Sequence, residues 1–250
     1  MAQKHTNIIF GLHPIEEALL EHKDIDKIMV SRDERKPDYV QVRKLAKENG
    51  IFVQEVPKEK LNRITMKNHQ GIIAFTSPIE FQDIDKLLPL LYEQGKSPLF
   101  LALDGVTDVR NFGALARTAE CAGVHGIIIP QKGGSPINAD AVKTSVGALL
   151  KIPVCKVSSL VNTLKYLKDA GLQVISCSEK GEDTIYDPDM TIPTVIVMGG
   201  EDEGISGGIL KLSESITQIP MKGTINSLNV SVAGAIIMFE SSRQRTANTL

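Results

Sequence analysis

From Pro98 to Arg245, short apolar runs alternate with longer stretches in which apolar residues recur every three or four positions. Short apolar runs are typical of strands buried on both faces, and the longer period is typical of amphipathic helices. The predicted strands are 99–103, 126–129, 154–157, 173–176, 194–198 and 216–219. The predicted helices are 112–122, 139–144, 160–170, a short one from 206, and 229–243. Strands that alternate with helices predict an α/β fold with a parallel sheet covered on both faces.

Residues 1–77 carry a second, smaller α/β pattern. Helices are predicted at 13–20 and 39–48, and strands at 27–30, 52–56 and 71–75. The segment 78–97 contains Pro78, Pro89 and Gly95, so it is predicted to hold a linker and one short helix, 84–92. We therefore expect an N-terminal domain at 1–77, a linker at 78–97 and a second domain at 98–250.

Composition narrows the possible classes of protein. With 42% hydrophobic and 23% charged residues, the chain is typical of globular proteins. No window approaches the ~20 apolar residues that span a bilayer, and the first residues lack the pattern of a signal peptide. A cytoplasmic protein without membrane contact is therefore expected. The net charge of −2 does not indicate a nucleic-acid binder, although residues 1–78 hold 13 Lys and Arg against 11 Asp and Glu. Any affinity for RNA must come from local placement of charge.

The cysteines predict no metal site. Cys121, Cys155 and Cys177 lie in apolar sequence and lack the spacing of metal ligands. Buried cysteine behaves as a small apolar residue, and reduced thiols are typical of the cytoplasm. We therefore expect three buried, reduced thiols.

Three polar loops that follow predicted strands carry the candidate chemistry. They are NFGALARTAECAGV (111–124), the end of VIVMGGEDEGIS (195–206), and IPMKGTINSLNVSVA (219–233). Ligands bind at the carboxyl ends of parallel strands, and glycine allows close approach of the backbone. We therefore expect the loops to form one site. Ser227 and Asn229 are also good helix N-caps. For one of the two, capping explains its presence as well as a role in the site does. A dinucleotide site is not expected, because no G-x-G-x-x-G follows the first strand.

These three segments resemble, in order and spacing, the three motifs of the SpoU (TrmH) branch of the SPOUT methyltransferases. The first has Asn, then Arg six residues later, then Thr-Ala. The second has Gly-x-Glu-x-x-Gly-Ile, and the third has Ile-Pro-Met-x-Gly-x-x-x-Ser-Leu-Asn-Val-Ser. FGLHPIEEALL and NHQGIIAF resemble the two ends of the small ribosomal-protein-like RNA-binding domain in rRNA-modifying members. The resemblance implies a SPOUT domain with a trefoil knot, although knots are nearly absent from other folds.

The resemblance also implies an activity. The implied activity is transfer of a methyl group from S-adenosylmethionine to a ribose 2′-hydroxyl. Among members of the family, the chain most resembles those that modify a guanosine in 23S rRNA. Two alternatives stay open: the same chemistry on tRNA or another rRNA nucleotide, and a catalytically silent RNA-binding protein on this scaffold. A homodimer through the C-terminal domain is implied as well, with the apolar helix 229–243 in its interface. A helix buried within one subunit is the alternative.

A role follows from the resemblance for each matched residue. The implied catalytic residues are Arg117, Asn111, Glu201, Ser227 and Asn229. The implied cofactor-binding residues are Met198, Gly199, Gly200, Ile219, Met221 and Leu228, and core packing is the alternative for the larger apolar ones. Since the pKa of guanidinium exceeds ~12, Arg117 is a poor base. Our hypothesis is that Arg117 acts as a cation that clamps a phosphate and stabilises the developing alkoxide. The alternative is a salt bridge to Glu201 or Glu120.

Overall fold

The computed structural model describes residues 8–33, 37–224 and 227–247. Ile225 and Asn226 of the third loop lie outside the described residues. The chain divides into two compact units, one that reaches Glu80 and one that comprises most of the chain from Phe81 on. None of the helices in the described part combines the length and the apolar character that a bilayer crossing requires.

The first unit is a four-stranded mixed sheet with helices against it. Its strand order is β1-β4-β2-β3, in which β4 is antiparallel to β1 and β2, and β3 is parallel to β2. The elements are β1 (Ile8–Phe10), α1 (Leu12–Leu20), β2 (Ile25–Ser31), α2 (Pro37–Glu48), β3 (Phe52–Val56), α3 (Lys58–Ile64) and β4 (Ile72–Thr76). The sequence pattern missed β1 and α3, because β1 is very short and α3 is mostly charged.

The two faces of this sheet are covered to different extents. Residues of α1 and α2, among them Ile15 and Val42, pack against Ile28 of β2 in the larger core. On the opposite face, Leu61 of α3 forms a smaller cluster with residues of β2, β3 and β4. Alternate residues of each strand point to opposite faces, so the sheet separates the two cores.

The second unit is a seven-stranded sheet with helices, and every strand pair in it is parallel. The order is β7-β6-β5-β10-β8-β11-β9. The elements are α4 (Ile84–Glu93), β5 (Leu99–Asp104), α5 (Val109–Cys121), β6 (Gly126–Pro130), α6 (Ala139–Thr144), β7 (Val154–Val157), α7 (Leu160–Asp169), β8 (Gln173–Cys177), β9 (Asp183–Thr184), β10 (Thr194–Gly199), α8 (Gly207–Leu210), β11 (Ser215–Gln218) and α9 (Val230–Ala247). The prediction of an α/β fold with a parallel sheet is confirmed.

The strand order brings distant parts of the sequence together. β10 lies between β5 and β8, with Met198 opposite Leu103 on one side and Cys177 on the other. β11 pairs with the far side of β8, where Thr217 is opposite Cys177. Because these strands are parallel and in register, the loops that follow β5, β10, β8 and β11 leave the sheet at the same edge.

The helix within the predicted linker belongs to the core of the second unit. Asp83 caps α4 by accepting a hydrogen bond from the backbone N–H of Asp85. Ile84, Leu88 and Leu91 are buried in the same cluster as residues of β5, α7 and β10. The segment 78–97 therefore contributes apolar surface to the second unit as well as connecting the domains.

The thiols differ in exposure, and the prediction of three buried cysteines is wrong for Cys121. Cys155 and Cys177 are buried, whereas Cys121, the last residue of α5, is exposed. An apolar neighbourhood in the sequence does not fix which face of a helix a residue occupies. Ala119 and Ala122 are buried here, while Cys121 lies on the outer side.

We expect thiol reagents to modify Cys121 alone in the native protein. Burial raises the pKa of Cys155 and of Cys177 to about 12, and nearby carboxylates, Asp83 and Glu179 respectively, add to the shift. Both thiols therefore stay protonated and unreactive at pH 8. Iodoacetamide at that pH, followed by mass spectrometry, should find only Cys121 alkylated until the chain is unfolded. Equal labelling of Cys177 and Cys121 would contradict the burial of Cys177.

Candidate active site

The loops that follow β8, β10 and β11 surround a cavity of about 730 Å³. Nine of the eleven residues predicted for the site line it: Met198, Gly199, Gly200, Glu201, Ile219, Met221, Ser227, Leu228 and Asn229. A tenth, Asn111, contacts two of these residues from the first turn of α5. The carboxyl edge of the sheet thus brings together residues that are more than 100 positions apart in the chain.

Two glycines allow the loop after β10 to lie directly against neighbouring backbone. A Cβ atom added at Gly199 would lie 2.3 Å from the carbonyl carbon of Gly204. One added at Gly200 would lie 2.3 Å from the carbonyl oxygen of Gly105, in the loop after β5. The backbone N–H of Gly200 also donates to the carbonyl of Asp104 at 2.8 Å. A larger residue at either position would have to displace backbone atoms of an adjacent loop, so glycine is required at both.

Glu201 organises a polar cluster at one end of the cavity. Its Oε1 accepts hydrogen bonds from the side-chain amides of Asn111 and Asn229, each at 2.9 Å. The Asn229 amide also lies 3.0 Å from Oδ1 of Asn111. Asp108 caps α5 through the backbone N–H groups of Arg110 and Asn111, which fixes the turn that carries Asn111. One residue from each of the three motifs thus joins a single hydrogen-bonded cluster.

Asn229 both caps α9 and joins the polar cluster. Its Oδ1 accepts from the backbone N–H of Ser231 at 2.9 Å and from the Ser231 hydroxyl at 2.6 Å, which caps the start of α9. Its Nδ2 is then left to donate to Glu201 and Asn111. Since a backbone N–H can only donate, the bond from Ser231 fixes which end of the amide is the oxygen. Ser227 lines the cavity nearby and is exposed.

We expect Asn229→Asp to destabilise the protein at neutral pH and much less in acid. The new carboxylate would face Glu201 across a contact that is 2.9 Å long in the native protein. Like charges raise the pKa of the pair in the folded state, so the loss should be about 1 kcal/mol at pH 7. Protonation of one carboxyl relieves the repulsion, so the loss should shrink as the pH falls towards 4.

Urea unfolding of Asn229→Asp and of the parent chain at both pH values tests this expectation. Asn229→Ser is the matched control, because serine still caps α9 but cannot donate an amide N–H to Glu201. Its stability should stay within about 0.5 kcal/mol of the parent at both pH values. A deficit for Asn229→Asp that is independent of pH would contradict the contact with Glu201.

Arg117 lies away from this cluster. It is exposed on α5 and is not among the residues that line the cavity. Six residues separate it from Asn111, which corresponds to about 9 Å along the helix and about 240° around it. The alternative salt bridge to Glu201 or Glu120 is absent: Glu201 accepts from the two asparagines, and Glu120 lies 3.9 Å from Lys151. The cavity of this chain is therefore built without Arg117.

The loop after β8 also contributes to the cavity, although none of the three sequence motifs indicated it. Cys177, Ser178 and Glu179 line the cavity, as do Gln218, Gly204, Ile205, Val230 and Ala233. The strand 173–176 was predicted, and the rule that ligands lie at carboxyl ends would have pointed to its following residues as well. The loop was overlooked because it has no glycine at the strand end and matches none of the three motifs.

The lining of the cavity favours a particular kind of ligand. Apolar residues such as Met198, Ile205 and Leu228 line the cavity together with the acidic residues Glu179 and Glu201. None of the described residues that line it is Lys, Arg or His. Apolar walls with a few polar groups suit a small organic ligand. Carboxylates without basic residues suit a ligand with a positive charge, rather than one with phosphates.

Two family models match the chain. Residues 98–239 match the model described as the SpoU rRNA methylase family. Residues 8–82 match the model described as RNA 2′-O ribose methyltransferase substrate binding. The first match covers more than half of the chain and includes the described residues of all three motifs.

Relatives extend the similarity over nearly the whole chain. A protein of Staphylococcus saprophyticus, assigned to the TrmH family of tRNA/rRNA methyltransferases, is 35% identical over 95% of this chain and 96% of its own length. A Bacillus subtilis protein with the same assignment is 32% identical, with 98% of each chain covered. The crystal structure of an AdoMet-bound rRNA methyltransferase from Sinorhizobium meliloti superposes with a TM-score of 0.61 at 25% identity, over 96% of this chain and 88% of that one.

Proposed function

The chain belongs to the SpoU rRNA methylase family, and on this basis we propose that it methylates a ribose 2′-hydroxyl of RNA. As a member of this family it is an RNA methyltransferase whose methyl donor is S-adenosylmethionine. The observation that carries the proposal is the meeting of all three motifs in the cluster of Asn111, Glu201 and Asn229 beside the cavity. Nothing in the packing of a silent scaffold requires these polar residues together, which argues against the alternative of a catalytically silent protein.

The cavity fits the chemistry of the donor. S-adenosylmethionine supplies an electrophilic methyl group on a positively charged sulfonium. The apolar walls and the adjacent carboxylates of Glu179 and Glu201 suit an adenine ring and a cation, respectively. Backbone groups of Met198, Gly199, Gly200, Ile219, Met221 and Leu228 would hold the donor. The close backbone approach at Gly199 and Gly200 keeps side chains out of that space.

The remaining site residues would position the reactants. Asn111, Glu201 and Asn229 hold one another through charge-assisted and amide hydrogen bonds, and Ser227 faces the same cavity. Rigid positioning is a major source of rate in a reaction between two bound molecules. Transfer of a methyl group to a hydroxyl releases one proton, which an RNA phosphate oxygen or solvent would accept. Arg117, as a permanent cation, would clamp the neighbouring phosphate and stabilise the developing alkoxide.

A homodimer through the C-terminal domain would bring Arg117 to a cavity. Val232 and Phe239 of α9 lie seven residues apart on one side of the helix and are 48% and 50% exposed. Apolar residues exposed in a row on a helix are typical of an interface. Since Arg117 is exposed and outside the cavity of its own subunit, we expect it to complete the cavity of the partner subunit. Sedimentation equilibrium would test the dimer, and a monomer at micromolar concentration would contradict it.

We also propose that the C-terminal part of the chain forms a trefoil knot. β10 lies between β5 and β8, and β11 lies on the other side of β8. The chain then returns so that α9 packs against α5. A crystal structure that traces residues 199–230 without threading would contradict the knot.

The target that we propose is a guanosine of 23S rRNA, with tRNA or another rRNA nucleotide as the alternative. The substrate-binding model that matches residues 8–82 supports an RNA target, and so do relatives assigned to tRNA/rRNA methylation. RNA in the cytoplasm would be the substrate. Mapping of 2′-O-methyl positions in total RNA, with and without this protein, decides between the targets. An unchanged map in both rRNA and tRNA would refute the enzymatic proposal.

A further inference from the structure

One face of the sheet in the first unit carries a row of four residues, one from each strand, and one of them, Phe75, ends the NHQGIIAF segment. Lys27 of β2 is opposite Phe52 of β3 and Phe75 of β4, and Phe75 is opposite Ile8 of β1. These four residues, which we call the front row, cross all four strands. A second row of Gln54, Met29, Ile73 and Phe10 lies next to it on the same face.

The two rows differ in exposure. Met29 and Ile73 are buried in the cluster that Leu61 of α3 completes, so α3 covers the second row. In the front row, Phe52 is 67% exposed, and Lys27 and Phe75 are only half-buried. Phe52 begins the edge strand β3, and there its exposed ring leaves much of its apolar surface in water.

Cations accompany the aromatic rings on this face. The Lys27 ammonium lies 5.0 Å from the centroid of the Phe75 ring, and the Lys67 ammonium lies 5.5 Å from that of Phe10. Neither row contains an acidic residue. The helix α3, which borders the front row, carries Lys58, Lys60 and Arg63 against a single acid, Glu59. The open face therefore combines flat aromatic surface with positive charge.

We infer that the front row binds single-stranded RNA by stacking unpaired bases on its phenylalanines. Aromatic side chains on an open sheet stack bases regardless of sequence, and nearby cations attract the phosphates. Phe52 and Phe75 are two strands apart, about 10 Å, so each would contact a different base. Lys27 lies between them and reaches the phosphate that connects those bases. The inference rests on the proposed function only in that RNA is the partner.

The first test measures binding of the full chain to a fluorescein-labelled single-stranded oligoribonucleotide of about ten nucleotides. Phe52→Leu keeps an apolar side chain of similar size but removes the ring, and we expect about tenfold weaker binding. Lys27→Ala should weaken RNA binding several-fold. It should also make the affinity less dependent on salt concentration, by the amount expected for the loss of about one phosphate contact. The matched controls are Val40→Ala and Lys44→Ala, which remove exposed side chains from α2. Both should bind as the parent chain does.

A second test uses the absence of tryptophan from the sequence. Phe52→Trp keeps an aromatic ring and introduces a single fluorescent reporter on the front row. Its emission should be quenched by single-stranded RNA and not by duplex RNA. The inference would be overturned if Phe52→Leu bound single-stranded RNA as tightly as the parent chain does. It would also be overturned if duplex RNA quenched the Phe52→Trp emission as much as single-stranded RNA does. Emission that changes with protein concentration alone would indicate a contact with a second copy, and would overturn it too.

Calorimetry with S-adenosylhomocysteine separates this inference from the proposed function. The Phe52 variants should take up the product as the parent does, because Phe52 and the cavity belong to different units. If neither the parent chain nor the variants bind S-adenosylhomocysteine, the enzymatic proposal fails. The RNA titrations would still decide whether the front row binds RNA. If uptake is normal and Phe52→Leu binds RNA as the parent does, only the front-row inference fails.

Discussion

Gly200→Ala should reduce methyl transfer about 100-fold, because a displacement of the loop by about 1 Å is enough for a loss of that size. The added Cβ would lie 2.3 Å from the carbonyl oxygen of Gly105, which belongs to the backbone of another loop and cannot rotate away. The displaced segment includes Gly199 and Glu201, which line the cavity. We expect binding of S-adenosylhomocysteine to be lost together with activity, and stability to fall by about 1–3 kcal/mol.

The matched control for this substitution is Gly207→Ala. A Cβ at Gly207, the first residue of α8, meets nothing within 4 Å. Alanine there should leave binding unchanged and can add a few tenths of a kcal/mol of stability. Calorimetry and thermal unfolding of both variants distinguish a local effect from unfolding. A folded Gly200→Ala protein with normal uptake would show that the close approach to Gly105 is not needed.

Arg117→Ala should lower turnover by about 10²–10³-fold, the range typical for loss of one group that stabilises transition-state charge. Arg117 is exposed, so its removal should change the free energy of unfolding by no more than about 0.5 kcal/mol. Arg117→Lys keeps the charge but loses the planar fork, so it should be impaired as well. Turnover is measured with tritiated S-adenosylmethionine as the methyl donor. The substrate is the RNA that the mapping of 2′-O-methyl positions identifies. Near-full activity of Arg117→Lys would contradict bidentate clamping of a phosphate.

Lys165→Ala, which removes an exposed cation from α7, is the control for loss of surface charge. Mixed forms of the proposed homodimer would locate the cavity that Arg117 serves. When Arg117→Ala and Asn229→Ala chains are co-expressed, a shared site predicts about a quarter of the normal activity, because half of the dimers are mixed and each has one complete site. If Arg117 served its own subunit, every site would lack one residue. Absence of any recovered activity would therefore contradict the shared site.

Local sequence patterns predicted six of the seven strands of the second unit and missed only the two-residue β9. Buried parallel strands are continuous apolar runs, and helices have their own period, so both can be recognised one segment at a time. Gly199 and Gly200 at the end of β10 marked the loop that follows this strand, because few other residues tolerate such close backbone contacts. Elements with weak patterns were missed, such as β1 and the mostly charged α3.

The sequence by itself determined the alternation of strands and helices, the polar loops at strand ends and the residues that those loops carry. Only the tertiary structure decided which loops are neighbours, because the strand order depends on long-range pairing that no local pattern encodes. Insertion of β10 between β5 and β8 brings Glu201 to Asn111 and adds Glu179 to the cavity. The path of α5 likewise decided that Asn111 contacts Glu201 and Asn229 while Arg117 and Cys121 are exposed to solvent. The direction of a side chain on a helix depends on what the helix packs against, and that is a property of the whole fold.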